Sequence, residues 1–216
     1  MQSVGYVGTH STIDNRQDPH NGLFFRVSQD FGFGSGTGGA VPTAQYVRTV
    51  ADARAYHEFI RQTDIVGMFQ VQGGNIYGFG GPVALIDNFY KGGETIRGFA
   101  PFGIGPRAVG GTPVGGKNFV AATAEVQFPI PLVPDDFGLR GAVFADAGTL
   151  FGADVPAAYS GAGGAFFDTP VIRSSAGAGL LWASPFGLLR ADFAWALTQA
   201  PYDVPQVFRF SAGQQF

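Results

Sequence analysis

The residues able to do chemistry are few and poorly arranged for catalysis. Cysteine is absent, which removes thiolate nucleophiles, disulfides and thiolate metal sites. His10, His20 and His57 show no metal-ligand spacing and no adjacent carboxylate motif. No Gly-x-Ser-x-Gly elbow occurs. The run Gly32-Phe33-Gly34-Ser35-Gly36-Thr37-Gly38-Gly39 resembles a phosphate-binding loop but lacks a Lys and a following helix, so it reads as a hairpin loop. The sequence therefore predicts no enzyme, no metal and no cofactor. What remains is a set of ionisable residues on the polar sides of alternating segments: Glu125, Arg140, Asp146, Arg190 and Asp192. Arg97 lies in a Gly- and Pro-rich stretch. Taken alone it reads first as a solvated loop arginine beside unrelated acids, and second as a guanidinium able to bridge two of those acids.

The elements that must position these groups are strands. Charged residues make up 13% of the 216, while Gly reaches 34 and Phe 22. So few charges would leave a soluble domain of this size badly covered. No apolar run approaches the ~18–20 residues that a spanning helix needs. Only helices and closed barrels satisfy backbone polar groups in a bilayer, so a lipid-facing chain of this kind must be a barrel. Period-2 alternation recurs over 3–13, 22–33, 44–58, 64–78, 117–129, 138–151, 171–183, 187–197 and 206–216, in lengths that suit tilted transmembrane strands. Turn residues separate them at Asp18-Pro19-His20-Asn21-Gly22, Arg61-Gln62-Thr63-Asp64, Pro131 to Asp136 and Ser184-Pro185-Phe186-Gly187.

The alternation has a sign. Val120, Ala122, Ala124, Val126 and Phe128 oppose Thr123, Glu125 and Gln127. Leu189, Ala191, Phe193 and Trp195 oppose Arg190 and Asp192. A soluble sandwich alternates too, with its apolar faces inward. The small residues on the polar faces, and Trp182, Trp195, Phe208 and Phe216 near strand ends, favour the inverted arrangement with apolar faces toward lipid. Residues 79–116 form one long Gly/Pro-rich connection, a length that is normally functional. An eight-strand barrel has a filled interior. A loop of this size therefore requires a wider barrel, or an open sheet that needs further strands.

That connection contains Asp87-Asn88-Phe89-Tyr90-Lys91-Gly92-Gly93 and Ile96-Arg97-Gly98-Phe99. Val143 to Thr149, Arg173 to Gly177, Trp182 to Gly187 and Phe208 to Phe216 follow in order. Together they resemble the signature motifs of the bacterial surface antigen family, which includes the BamA-type outer-membrane assembly factors. The resemblance covers essentially the whole chain. It implies an all-β antiparallel transmembrane barrel of sixteen strands, of which residues 1–216 supply about the last eight or nine. It also implies an RGF loop (79–116) folded into the lumen, with Arg97, Gly98 and Phe99 meeting Glu125 and Asp146 on the inner wall. Phe89, Tyr90, Gly92 and Gly93 form the supporting loop motif. Phe208, Phe210, Gly213 and Phe216 belong to the terminal strand that closes, and opens, the seam.

The resemblance further implies that the protein folds and inserts barrel proteins by strand-edge templating in the outer membrane of a Gram-negative-type bacterium. Outer-membrane lipids, unfolded barrel clients and accessory lipoproteins are the expected partners. Neither POTRA repeats nor a signal peptide is read in 1–216, so the reading expects a fragment. A two-partner secretion pore, which shares both the barrel and the RGF loop, and a passive barrel anchor of a larger surface protein remain the alternatives. The net charge of −3, with no basic cluster, argues against a nucleic-acid partner.

Overall fold

The computed structural model describes residues 2–16, 18–33, 45–60, 63–79, 81–131, 133–134, 137–154, 166–184 and 187–213. Most of the glycine-rich run at 32–39, parts of the turns at 61–62 and 185–186, and Phe216 lie outside the described residues. Among the described residues eleven strands follow one another: β1 (Gln2–Ser11), β2 (Gly22–Phe33), β3 (Gln45–Ile60), β4 (Ile65–Phe79), β5 (Arg107–Ala108), β6 (Asn118–Pro129), β7 (Leu139–Phe151), β8 (Phe166–Phe167), β9 (Arg173–Ser184), β10 (Gly187–Thr198) and β11 (Phe208–Gly213). Nine of them form one antiparallel sheet in the order β1-β2-β3-β4-β6-β7-β9-β10-β11. The short β5 and β8 pair separately. Among the described residues the sheet stays open, with β1 and β11 as its two edges.

The alternation read from sequence becomes a two-faced sheet. Phe69, Val120, Val143, Phe193, Trp195 and Phe210 are all exposed on one face, and Phe193 and Phe210 remain 50% and 60% accessible. The opposite face carries Glu125, Asp146 and Asp192, each only 3% accessible. The polarity is that of a lipid-facing barrel wall, not of a soluble sandwich.

One feature of the inner face departs from the sequence expectation of a polar, crowded lumen. Near the long-loop end of the strands it is apolar. Tyr46, Ile76, Phe119 and Leu150 from the wall pack with Val83, Phe89, Ile96, Phe99 and Ile104 from the long connection. This is the principal buried apolar cluster, and it lies inside the wall. Alternation misses it because these wall residues occupy the same face as the ionisable ones, two or more pleats away.

At the opposite end the connections are short. Asp64 sits at φ 52°, a left-handed conformation that Asp tolerates better than most residues. The β1–β2 turn folds across the mouth of the sheet to β7, where Arg140 Nη1 donates to Asp18 Oδ1 at 2.7 Å and Nη2 to the Asp64 carbonyl at 2.7 Å. His20 Nε2 lies 3.0 Å from Asp64 Oδ1, and its ring Nδ1 lies 3.0 Å from the Asp18 carbonyl. Burial works to depress the His20 pKa, but the hydrogen bond to Asp64 and the nearby Asp18 outweigh it and leave it raised. A raised pKa stabilises the turn fully below the unfolded value of about 6.5, and that contribution is lost as pH rises through the folded value. Amide exchange around His20 should therefore accelerate beyond its intrinsic chemical rate as pH rises above about 6.5. A His20→Gln variant should show no such step, and an identical step in that variant would exclude the histidine as its cause.

Candidate functional site

The connection between β4 and β6 is an ordered structure lying against the inner face. It opens with a 3-10 turn at Leu85–Asp87. Phe89 and Gly116 then exchange backbone hydrogen bonds at 2.9 and 3.0 Å, closing the base of the segment. Phe89, 3% accessible, meets the Phe119 ring edge-on at 4.7 Å. Tyr90 Oη donates to the Leu85 carbonyl at 2.9 Å and braces the base. The tip turns tightly, with the amides of Thr95 and Ile96 both donating to the Gly92 carbonyl at 2.8 and 2.9 Å.

Glycine is required at this tip for steric reasons. A Cβ on Gly92 would overlap the Ala100 carbonyl oxygen and approach the Phe102 and Gly103 amides, all of them backbone. One on Gly93 would overlap the Phe99 carbonyl oxygen. Gly98, at φ 91°, lies against the Ser175 side chain and the β10 backbone. A Gly92→Ala variant should lose about 1–3 kcal/mol through forced displacement of the tip. Protease cleavage within 79–116 should rise while the sheet stays intact. Unchanged cleavage would mean that the backbone relaxes at little cost.

Residues 97–99 are delivered to the wall together. Arg97 Nε and Nη2 each donate to Asp146 at 2.8 Å, its backbone amide donates to Asp146 Oδ2 at 2.9 Å, and Nη1 donates to Glu125 Oε2. The guanidinium lies 3.4 Å from the centroid of the Phe144 ring, which sits between the two acids on the inner face of β6 and β7. The register explains the convergence. Thr123 pairs with Asp146 and Glu125 with Phe144, so both carboxylates point inward within one pleat of each other. Phe99, 2% accessible, packs into the apolar cluster beside Ile96.

The sequence did not single out Arg190 as a partner. Its Nη1 and Nη2 donate to the two oxygens of Glu125 at 3.0 and 2.8 Å, and its Nε reaches Asp192 at 2.9 Å. Gln127 Nε2 adds a donor to Glu125 at 2.8 Å. Arg190 and Asp192 were legible as polar-face residues, but β10 lies three strands from β6 in the sheet, and no local pattern shows that Arg190 and Glu125 meet. A second buried pair also escaped notice: Arg173 at the start of β9 binds Asp203 in the β10–β11 loop, both side chains fully buried.

The terminal-strand residues fall on the last edge of the sheet. Phe208 and Phe210 are 47% and 60% accessible on the outer face, and Phe208 lies 5.0 Å from Phe193. Gly213 ends the described strand opposite Leu188.

A family model of the Omp85 superfamily domain matches residues 2–216. The chain belongs to the Omp85 superfamily. Among its relatives, the outer membrane protein assembly factor BamA of Neorickettsia risticii is 34% identical over the whole of this chain, which aligns with 27% of that protein. A SAM50-like protein of Schizosaccharomyces pombe is 32% identical over 62% of this chain and 28% of its own length. This Omp85 segment thus spans about a quarter of the curated relatives it matches. In fold it is similar to the crystal structure of BamA from Haemophilus ducreyi lacking POTRA domains 1–3, with a TM-score of 0.82 and 22% identity over 99% of this chain and 42% of that one. With its apolar face turned outward, the segment is part of an integral outer-membrane β-barrel of the Gram-negative type.

Proposed function

We propose that this chain is the C-terminal membrane segment of an outer-membrane barrel-assembly factor, and that it works by offering the edge of β11 to strands of a client. One observation carries the reading: β11 stands last in the sheet order and pairs with β10 among the described residues, which puts the seam of a closed barrel along its outer edge and frees that edge whenever the seam opens. A free strand edge presents a row of unpaired N–H and C=O groups, which template an incoming strand by β-augmentation. The process needs no bond making or breaking, so no catalytic residue is assigned. Unfolded barrel proteins are the proposed clients, outer-membrane lipids the solvent of the outer face, and accessory lipoproteins the further partners. The similarity to proteins named as assembly factors supports this reading over a secretion pore.

The test uses the full-length protein. A cysteine introduced by Ala212→Cys should form disulfides with cysteines along one strand of a stalled client, in a single register. Capture of no client, with the strand folded, would overturn the assembly role.

A further inference from the structure

We propose that Arg173 and Asp203 are positioning residues for the terminal strand: their ion pair holds the β10–β11 loop where the Gly98–Gly103 segment hydrogen-bonds to it, coupling the Arg97 latch to β11. This rests on the assembly reading above, in which the β11 edge is the working surface. Arg173 Nε and Nη2 donate to the two Asp203 oxygens at 2.9 and 3.2 Å, and Nη1 donates to the Val171 carbonyl at 2.9 Å. Asp203 Oδ2 also accepts from the Ala200 amide at 2.6 Å, so one carboxylate both shapes the loop and anchors it to β9.

The anchored loop is then zipped to the segment that carries the latch. Ala100 N donates to the Val204 carbonyl, Val204 N to the Gly103 carbonyl and Gln206 N to the Gly98 carbonyl, each at 2.9 Å. Phe99 and Pro205 form an antiparallel bridge at the centre of this ladder. Gly98 directly follows Arg97, and Gln206 stands two residues before β11 begins. The covalent and hydrogen-bonded path from latch to seam is thus only a few residues long. The exposed Glu94–Arg209 contact at 3.5 Å adds little, being solvated.

A fully buried ion pair is a poor device for stability alone, since desolvation cancels much of its attraction. Its bidentate geometry fixes position. Coupling then follows by linkage, because release of either anchor removes the ladder that both sustain.

Hydrogen exchange on the full-length protein in bilayers tests the coupling. Asp203→Asn should speed exchange over 204–210 about tenfold, as expected for losing a charge-assisted bond, and leave 118–151 unchanged. Arg97→Ala should accelerate the same stretch, and the double variant should be no faster than the faster single one. Additive effects, or Asp203→Asn acceleration spread evenly over the sheet, would overturn the proposal. Should Asp203→Asn fail to assemble, Arg173→Met combined with Asp203→Leu removes both charges together and is read in the same way. Client capture from Ala212→Cys in the otherwise unaltered protein reports on the assembly role separately. Its failure would remove that role while the exchange data still decide the coupling.

Discussion

Arg97→Ala is expected to lower the stability of the folded barrel by about 3–5 kcal/mol, as for a buried ion pair broken from one side. The reason is the company the guanidinium keeps. It donates two hydrogen bonds to Asp146, beside a third from the Arg97 backbone amide that truncation would spare, and it shares Glu125 with Arg190. Truncation leaves Asp146, 3% accessible, without its cation. Arg97→Lys should recover little, because an ammonium cannot span both acids with the planar fork that this geometry uses. The measurement is the temperature at which the folded form is lost in heat-modified migration, together with protease access to 79–116. Wild-type values for both would remove the latch role.

Arg190→Ala should cost about 3 kcal/mol or more, by the same logic of a stranded buried charge. Asp192 would lose its arginine partner and Glu125 two of its bonds. This variant separates a network from an isolated Arg97 pair. In a network, Glu125 turns or shifts when Arg190 goes, and the loop loosens although no loop residue has been touched. A double-mutant cycle between Arg97→Ala and Arg190→Ala should deviate from additivity by about 0.5–3 kcal/mol. Strict additivity with a protected loop would show two independent pairs. Because the groups are enclosed, added salt should change these values little.

Much of the wall was legible in the sequence because period-2 alternation is a local property. The segments read at 22–33, 117–129 and 138–151 differ from β2, β6 and β7 by at most a residue at either end. Glu125 and Asp146 were placed on the inner face for the same reason. Local pattern could not supply register between distant strands. Arg190 reaches Glu125 across two intervening strands, β7 and β9, a contact that no single strand's pattern records. Asp203 was invisible for a related reason: its partner is 30 residues away and its loop has no periodicity. The apolar lining of the lumen was missed because Phe119 and Leu150 share a face with the acids, and alternation reports the face rather than the depth along it.

The long segment that carries Arg97 leaves β4 and returns on β6, and those two strands are direct hydrogen-bonded neighbours. It is therefore a hinged stopper, attached at two adjacent points on one side of the opening. Displacing it need not break any pair within the nine-stranded sheet; what resists is its apolar seat, its charged catch, the β5–β8 pairing and the bonds to the last loop. Release of the loop and rupture of the wall are separate events in this architecture, so the inner face can rearrange while the outer, lipid-facing one stays as it is.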